Sequence, residues 1–211
     1  VLAVVVMGAT GAACARPVID GGRLVVAGDS ITALEQPYLS AVVPDRWRLD
    51  YLFRFGISIG PAADLLRSDI AEHGTPGALV VNLGTNDALA GPRAVGASAG
   101  PAPLDPVLDL AHRVPCVVLT TVSQRLDAAS HGDVAARIDA QIAAASAADP
   151  RRVKVVDWDG FLRSLQANAV ATYLQRDGIH ETEAGARWLA DADVRALAAC
   201  GSPLPPVPPP G

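Results

Sequence analysis

Five short runs rich in β-branched and other apolar residues, at 23–27, 49–55, 78–83, 116–122 and 153–158, alternate with longer Ala-rich, helix-favouring stretches. The helical stretches fall at 31–41, 62–72, 104–112, 133–147 and 182–199. The first, third and fourth runs are almost entirely apolar, as expected of parallel strands covered on both faces. Strands alternating with helices predict βαβ units and a parallel sheet with helices on either side, an α/β domain of three layers. The length of 211 residues suits one domain, and a composition that is 50% hydrophobic and 18% charged can fill its core. In such sheets ligands sit at the carboxyl ends of the strands, which is where chemistry should be sought.

Composition removes several classes of function. A formal net charge of -5 without a basic block lacks the phosphate-neutralising charge on which nucleic-acid binding depends. No apolar run reaches the roughly 18 residues of a membrane-spanning helix, and no 20–50-residue repeat marks a solenoid or propeller. Residues 1–15 read as a short apolar h-region followed by small residues, with Ala13-Cys14-Ala15 as a cleavage site or Cys14 as a lipid acceptor. An ordinary buried first strand is the other reading of that run. Export is the expectation, to a secreted or envelope location. Cys116 and Cys200 then remain as an even pair, either a disulfide or two separate buried thiols. Residues 201–211, GSPLPPVPPPG, favour extended polyproline and form a tail, leaving 16–200 as the folded domain. Gly91 to Pro103 reads as a long surface loop.

Three motifs stand at predicted strand ends. The first strand runs into Gly28-Asp29-Ser30 and then a helix, so that the Ser30 N–H joins the positive end of a helix dipole. Taken alone, this reads first as a turn with a capping serine. The third strand ends in Gly84-Thr85-Asn86-Asp87, where Asn86 can present amide hydrogens to an oxyanion or can simply close an Asx turn. Asp177-Gly178-Ile179-His180 precedes the last helix. Its i, i+3 spacing lets Asp177 accept from His180 Nδ1 and so fixes the tautomer whose Nε2 takes a proton from a hydroxyl. His73, His112 and His131 lie in polar helix-end or loop contexts. A nucleophile, a base, an orienting carboxylate and an oxyanion donor together are what acyl transfer through a covalent intermediate requires.

With these motifs in this order, the sequence from about Arg23 to Cys200 resembles the GDSL or SGNH hydrolases. The resemblance implies a flavodoxin-like parallel five-stranded sheet, with Ser30 as nucleophile, His180 as general base and acid, and Asp177 as its orienting partner. The oxyanion hole would combine the Ser30 N–H, the Asn86 side chain and a backbone N–H from Gly56-Ile57-Ser58-Ile59-Gly60. Gly60 is the expected donor of that block and Gly56 the alternative. Asp29 and Asp87 look like turn-stabilising residues. The G-x-S-x-G nucleophile elbow of α/β-hydrolases is missing.

The expected activity is hydrolysis of a small acyl ester through an acyl-enzyme, with no cofactor and no metal. An O-acetylated carbohydrate or another short-chain ester is the expected substrate. An acyltransferase of the same fold and a non-catalytic surface binding protein are the competing readings. Trp158 is expected either to border the site or to be a core aromatic, and Ser123 and Gln124 to line the cleft.

Overall fold

In the computed structural model residues 22–91, 103–130 and 133–200 are described. The leader-like segment with Cys14, most of the Gly91–Pro103 stretch, His131 and the Pro-rich tail lie outside them. The strands are β1 (Arg23–Gly28), β2 (Arg48–Phe53), β3 (Ala78–Asn82), β4 (Val117–Thr120) and β5 (Val153–Val156). They form one parallel sheet in the order β2-β1-β3-β4-β5. This is the flavodoxin-like order, whose reversal next to β1 opens a crevice at the carboxyl edge.

The helices are α1 (Ser30–Val42), α2 (Ile59–His73), α3 (Thr85–Ala90), α4 (Asp105–Ala111), α5 (Arg125–Ser130), α6 (Val134–Ala148), α7 (Trp158–Ser164), α8 (Val170–Tyr173) and α9 (Glu183–Ala198). Because successive strand residues face opposite sides, the central strands feed two cores. Val25, Ala27, Leu79, Val81, Val117 and Leu119 pack against α2, α4 and α6. Leu24, Val26, Val80, Val118 and Val156 pack under α1 and α9. Every residue of β1, β3 and β4 is buried, which explains their nearly unbroken apolar runs. β2 lies at the edge and alternates charged and apolar residues, with Arg48 exposed.

Cys116, just before β4, and Cys200, just after α9, form a disulfide with a Cα–Cα distance of 5.7 Å. It fastens the last helix to the sheet at the amino end of β4. The two-thiol alternative is thereby excluded.

Candidate active site

The site is assembled at the carboxyl ends of β1 and β3. β1 ends at Gly28, where a side chain has no room. A Cβ there would lie 1.8 Å from Thr32 Oγ1 and 2.9 Å from the Asn82 carbonyl oxygen. The close approach lets the chain turn directly from strand to helix. Asp29 caps α1, its Oδ1 accepting from the Ile31 N–H at 2.9 Å. Ser30 is therefore the first residue of α1, with its backbone N–H among those that have no acceptor within the helix. Burial pushes the Asp29 carboxyl up to about 6. The Ile31 N–H, His180 and Asn86 act in the opposite direction.

His180 reaches this serine from the far end of the sequence. Its Nε2 lies 3.0 Å from Ser30 Oγ and its Nδ1 lies 2.8 Å from Asp177 Oδ2. The second oxygen of Asp177 accepts from the backbone N–H groups of Ile179 and His180, at 2.9 and 3.0 Å. One carboxylate thus closes the turn and holds the imidazole. These bonds, the largest being that from His180, draw the Asp177 carboxyl below its ordinary range. Gly178, at φ 69°, supplies the left-handed residue that the turn needs. Both side chains stay open to solvent, 33% exposed for His180 and 42% for Asp177, so a substrate can reach the imidazole.

The segment carrying His180 is fixed at its base. Leu174 and Glu181 form an antiparallel bridge. The Gln175 N–H donates to the His180 carbonyl at 2.8 Å and the Thr182 N–H to the Tyr173 carbonyl at 2.9 Å. Thr182 then caps α9, accepting from the Gly185 N–H. Gly185 is another position closed to a side chain: a Cβ would lie 2.3 Å from the Tyr173 carbonyl oxygen and 2.7 Å from Glu181 Cβ.

Asn86 lies in the first turn of α3, behind Gly84, whose φ is 114°. Its Nδ2 donates to Asp29 Oδ2 at 2.9 Å and to the Ile57 carbonyl at 3.0 Å. In this resting arrangement both amide hydrogens are engaged, so the group is held at the crevice by the residue before Ser30 and by the glycine block. Asp87 accepts from the Ile59 N–H at 3.0 Å and pins the start of α2 to α3. Asp29 and Asp87 thus have the structural tasks expected of them. The helix over 59–73 begins three residues earlier than the sequence pattern suggests. Gly60 is therefore its second residue, with an N–H in the unsatisfied first turn and no atom within 4 Å of where a Cβ would stand. Gly56, at φ 73°, forms the preceding turn.

Other expected site residues serve the framework. Trp158 is buried, stacks on Phe161 and lies against Trp188, which makes it a core aromatic. The Gln124 side chain donates to Asp139 Oδ2 at 3.0 Å and its N–H to Asp159 Oδ1 at 2.8 Å, tying the end of β4 to α6 and α7. Ser123 is buried. His73 pairs with Asp69.

Three buried acids belong to no sequence motif: Glu35, Glu181 and Asp193, exposed by only 1%, 2% and 1%. The signal for two of them is periodicity. Glu35 falls between Ile31 and Leu39 on the buried stripe of α1. Asp193 interrupts the stripe Ala186, Leu189, Ala190, Ala196, Leu197 on α9. Among the described residues no group of three or more His, Cys, Asp or Glu is placed to hold a metal ion, and no helix is long and apolar enough to cross a membrane.

A parallel α/β/α sandwich with a hydrogen-bonded Ser–His–Asp chain at its switch point defines the class of architecture. No protein-family profile matches the sequence. No curated protein matches it either. Solved structures do. One is a G-D-S-L family lipolytic protein from Veillonella parvula, with a TM-score of 0.66 at 16% identity, covering 83% of this chain and 98% of that one. Another is the C-terminal catalytic domain of the Streptococcus pneumoniae peptidoglycan O-acetyltransferase A, with a TM-score of 0.63 at 15% identity over 85% and 94%. A third is an acetylxylan esterase from Geobacillus stearothermophilus, with a TM-score of 0.60 at 19% identity over 84% and 94%. The chain has the fold of the GDSL/SGNH hydrolases.

Proposed function

We propose that this protein is a serine ester hydrolase acting through an acyl-enzyme on small acyl esters, with O-acetylated carbohydrate as the substrate class. The observation that carries the reading is the continuous hydrogen-bonded chain from Ser30 Oγ through His180 to Asp177, at 3.0 and 2.8 Å. Ser30 Oγ attacks the ester carbonyl as His180 Nε2 takes its proton. The oxyanion so formed is met by the Ser30 and Gly60 N–H groups and by Asn86, one of whose amide hydrogens turns from its resting acceptor. The tetrahedral intermediate collapses, the alcohol leaves with the proton from His180, and the acyl group stays on Ser30. Water, deprotonated by His180, then releases the acid.

The fold neighbours named for acetyl transfer to peptidoglycan and for acetylxylan esterase activity support an acetylated carbohydrate. Export is supported by the Cys116–Cys200 disulfide, a linkage that persists in oxidising compartments. Acetylated xylo-oligosaccharide and p-nitrophenyl acetate, each supplied with and without free acceptor sugar, test the reading. Acetate release that is unchanged by the acceptor is the expected outcome. Quantitative transfer of acetyl to the sugar would assign an acyltransferase. Absence of any turnover in the folded protein would remove the enzymatic reading.

Asn86→Ala is expected to lower kcat by about 10²–10³ without abolishing turnover, because one of three oxyanion donors is lost. The steady-state kinetics of that variant, compared with its thermal unfolding, check this. A kcat equal to that of the parent would take Asn86 out of the oxyanion hole.

A further inference from the structure

The crevice has a polar floor that the reaction does not use. On the α1/α9 side of the sheet, the carboxyl ends of β3 and β4 present Asn82 and Thr120, and α1 lays Thr32 and Glu35 over them. Asp193 comes from α9 and Glu181 from the residue directly after His180. All six side chains are buried. Both oxygens of Glu181, Thr32 Oγ1 and Thr120 Oγ1 have no hydrogen-bonding partner, whereas Glu35 shares hydrogen bonds with Asp193 and Asn82. Glu35 faces Asp193, Asn82 and Glu181. Glu181 faces Asp29 from the β1–α1 turn and Asp177 from its own segment. The Tyr51 hydroxyl of β2, bonded to Ser40 and to the Gln36 carbonyl, is raised by burial, and the charges of Glu35 and Asp193 add to the rise. The groups acting on the three acids include no base.

Three carboxylates cannot be buried together without a counter-charge. No metal-binding arrangement exists among the described residues, so protons must neutralise them. We propose that Glu181 is a positioning residue whose neutral carboxyl, buried near Glu35 on the α1/α9 side of the sheet, seats the His180 segment against α9, and whose deprotonation unseats that segment and ends turnover at alkaline pH. The steric fit supports the coupling. Glu181 Cβ packs against Gly185 of α9, and the Glu181 carbonyl accepts from Gln175 Nε2 at 2.9 Å. A side chain pushed outward by charge therefore drags the residue next to it, which is His180.

Burial holds Glu181 up to about 8, with Asp29 and Asp177 adding to the rise. Burial also raises Glu35 and takes Asp193 to about 7. The folded protein thus binds protons on these acids more tightly than the unfolded chain does. Their contribution to stability is complete below the ordinary carboxyl range and is lost as pH rises through 7 to 8.

The inference rests on the serine-hydrolase reading, and its test separates the two. The rate profile of p-nitrophenyl acetate hydrolysis from pH 5.5 to 9.5, corrected for spontaneous hydrolysis, is compared for the parent and Glu181→Gln. Thermal unfolding of both is followed over the same range. In the parent, kcat/KM should fall about tenfold per pH unit beyond the loss of that proton. The neutral amide of Glu181→Gln should keep turnover at neutral pH and abolish the alkaline fall, and its Tm should gain on the parent as pH rises. An identical alkaline limb in both proteins, a parent without such a limb, or a folded Glu181→Gln inactive at neutral pH would each overturn the proposal. Ser30→Ala retaining turnover would instead overturn the serine mechanism, while the pH dependence of the Tm difference would still report on the acids.

Discussion

Ser30→Ala is expected to cut p-nitrophenyl acetate turnover by about 10⁴–10⁶, and His180→Ala by a comparable factor, because the two act as one unit. The double variant should be no slower than either single one. Among the described residues the only hydrogen bond of the Ser30 side chain is the one to His180, so its removal leaves the unfolding temperature unchanged while turnover collapses. Replacing Asp177 should cost less than replacing His180. Its carboxylate is 42% exposed, so water can take its place at Nδ1, and the Gln175–His180 backbone bond still holds the segment. Steady-state kinetics on the purified variants, paired with thermal unfolding, check all three. Losses that multiply in the double variant would show that Ser30 and His180 serve separate steps.

The second large effect falls on stability. The Cys116–Cys200 disulfide spans 84 residues, and a loop of that size gains roughly 4–5 kcal/mol in the chain-entropy account. For a domain of this length, that corresponds to about 10–20 °C in Tm. Cys116→Ser with Cys200→Ser, or full reduction verified by thiol titration, should produce this fall. Turnover at low temperature should persist, because the bond sits at the amino end of β4 and the site lies at the carboxyl ends of β1 and β3. An unchanged Tm after complete reduction would show that packing of α9 under the sheet suffices.

Much of this architecture is legible in the residue pattern. The buried strands β1, β3 and β4 are nearly unbroken apolar runs, and the longer helices carry clear alanine-rich stretches. The helices α3, α5, α7 and α8 are not legible, four to seven residues being short for an amphipathic period, whereas α4, also of seven, stands out as the stretch at 104–112. The start of α2 is hidden by Pro61. That residue looks like a boundary, yet it sits in the first turn, where a missing N–H costs nothing. The run 116–122 exceeds β4 because its apolar residues continue into the loop under α6.

The site shows the same division. Ser30, Asn86, Asp177 and His180 are each visible as part of a local motif, because the first two stand at strand-end turns and the last two in the turn before α9, each with its own residue grammar. Glu35, Glu181 and Asp193 come together only through tertiary packing of α1, α9 and the His180 segment, and no local spacing links them. The double engagement of the Asn86 amide is likewise a product of three loops meeting. The glycines are intermediate. Gly84 and Gly178 sit within recognisable turns, whereas the need for Gly185 arises only from the Tyr173 carbonyl across the fold.

The most direct test of the central claim is covalent capture of the nucleophile. Treatment with an alkylsulfonyl fluoride, followed by intact-mass and peptide mass spectrometry, should show one sulfonyl group esterified to Ser30. Fluoride should be released and turnover lost in parallel, and Ser30→Ala should take up no label. A label on another residue that tracks the loss of turnover, or full turnover in Ser30→Ala, would contradict the account.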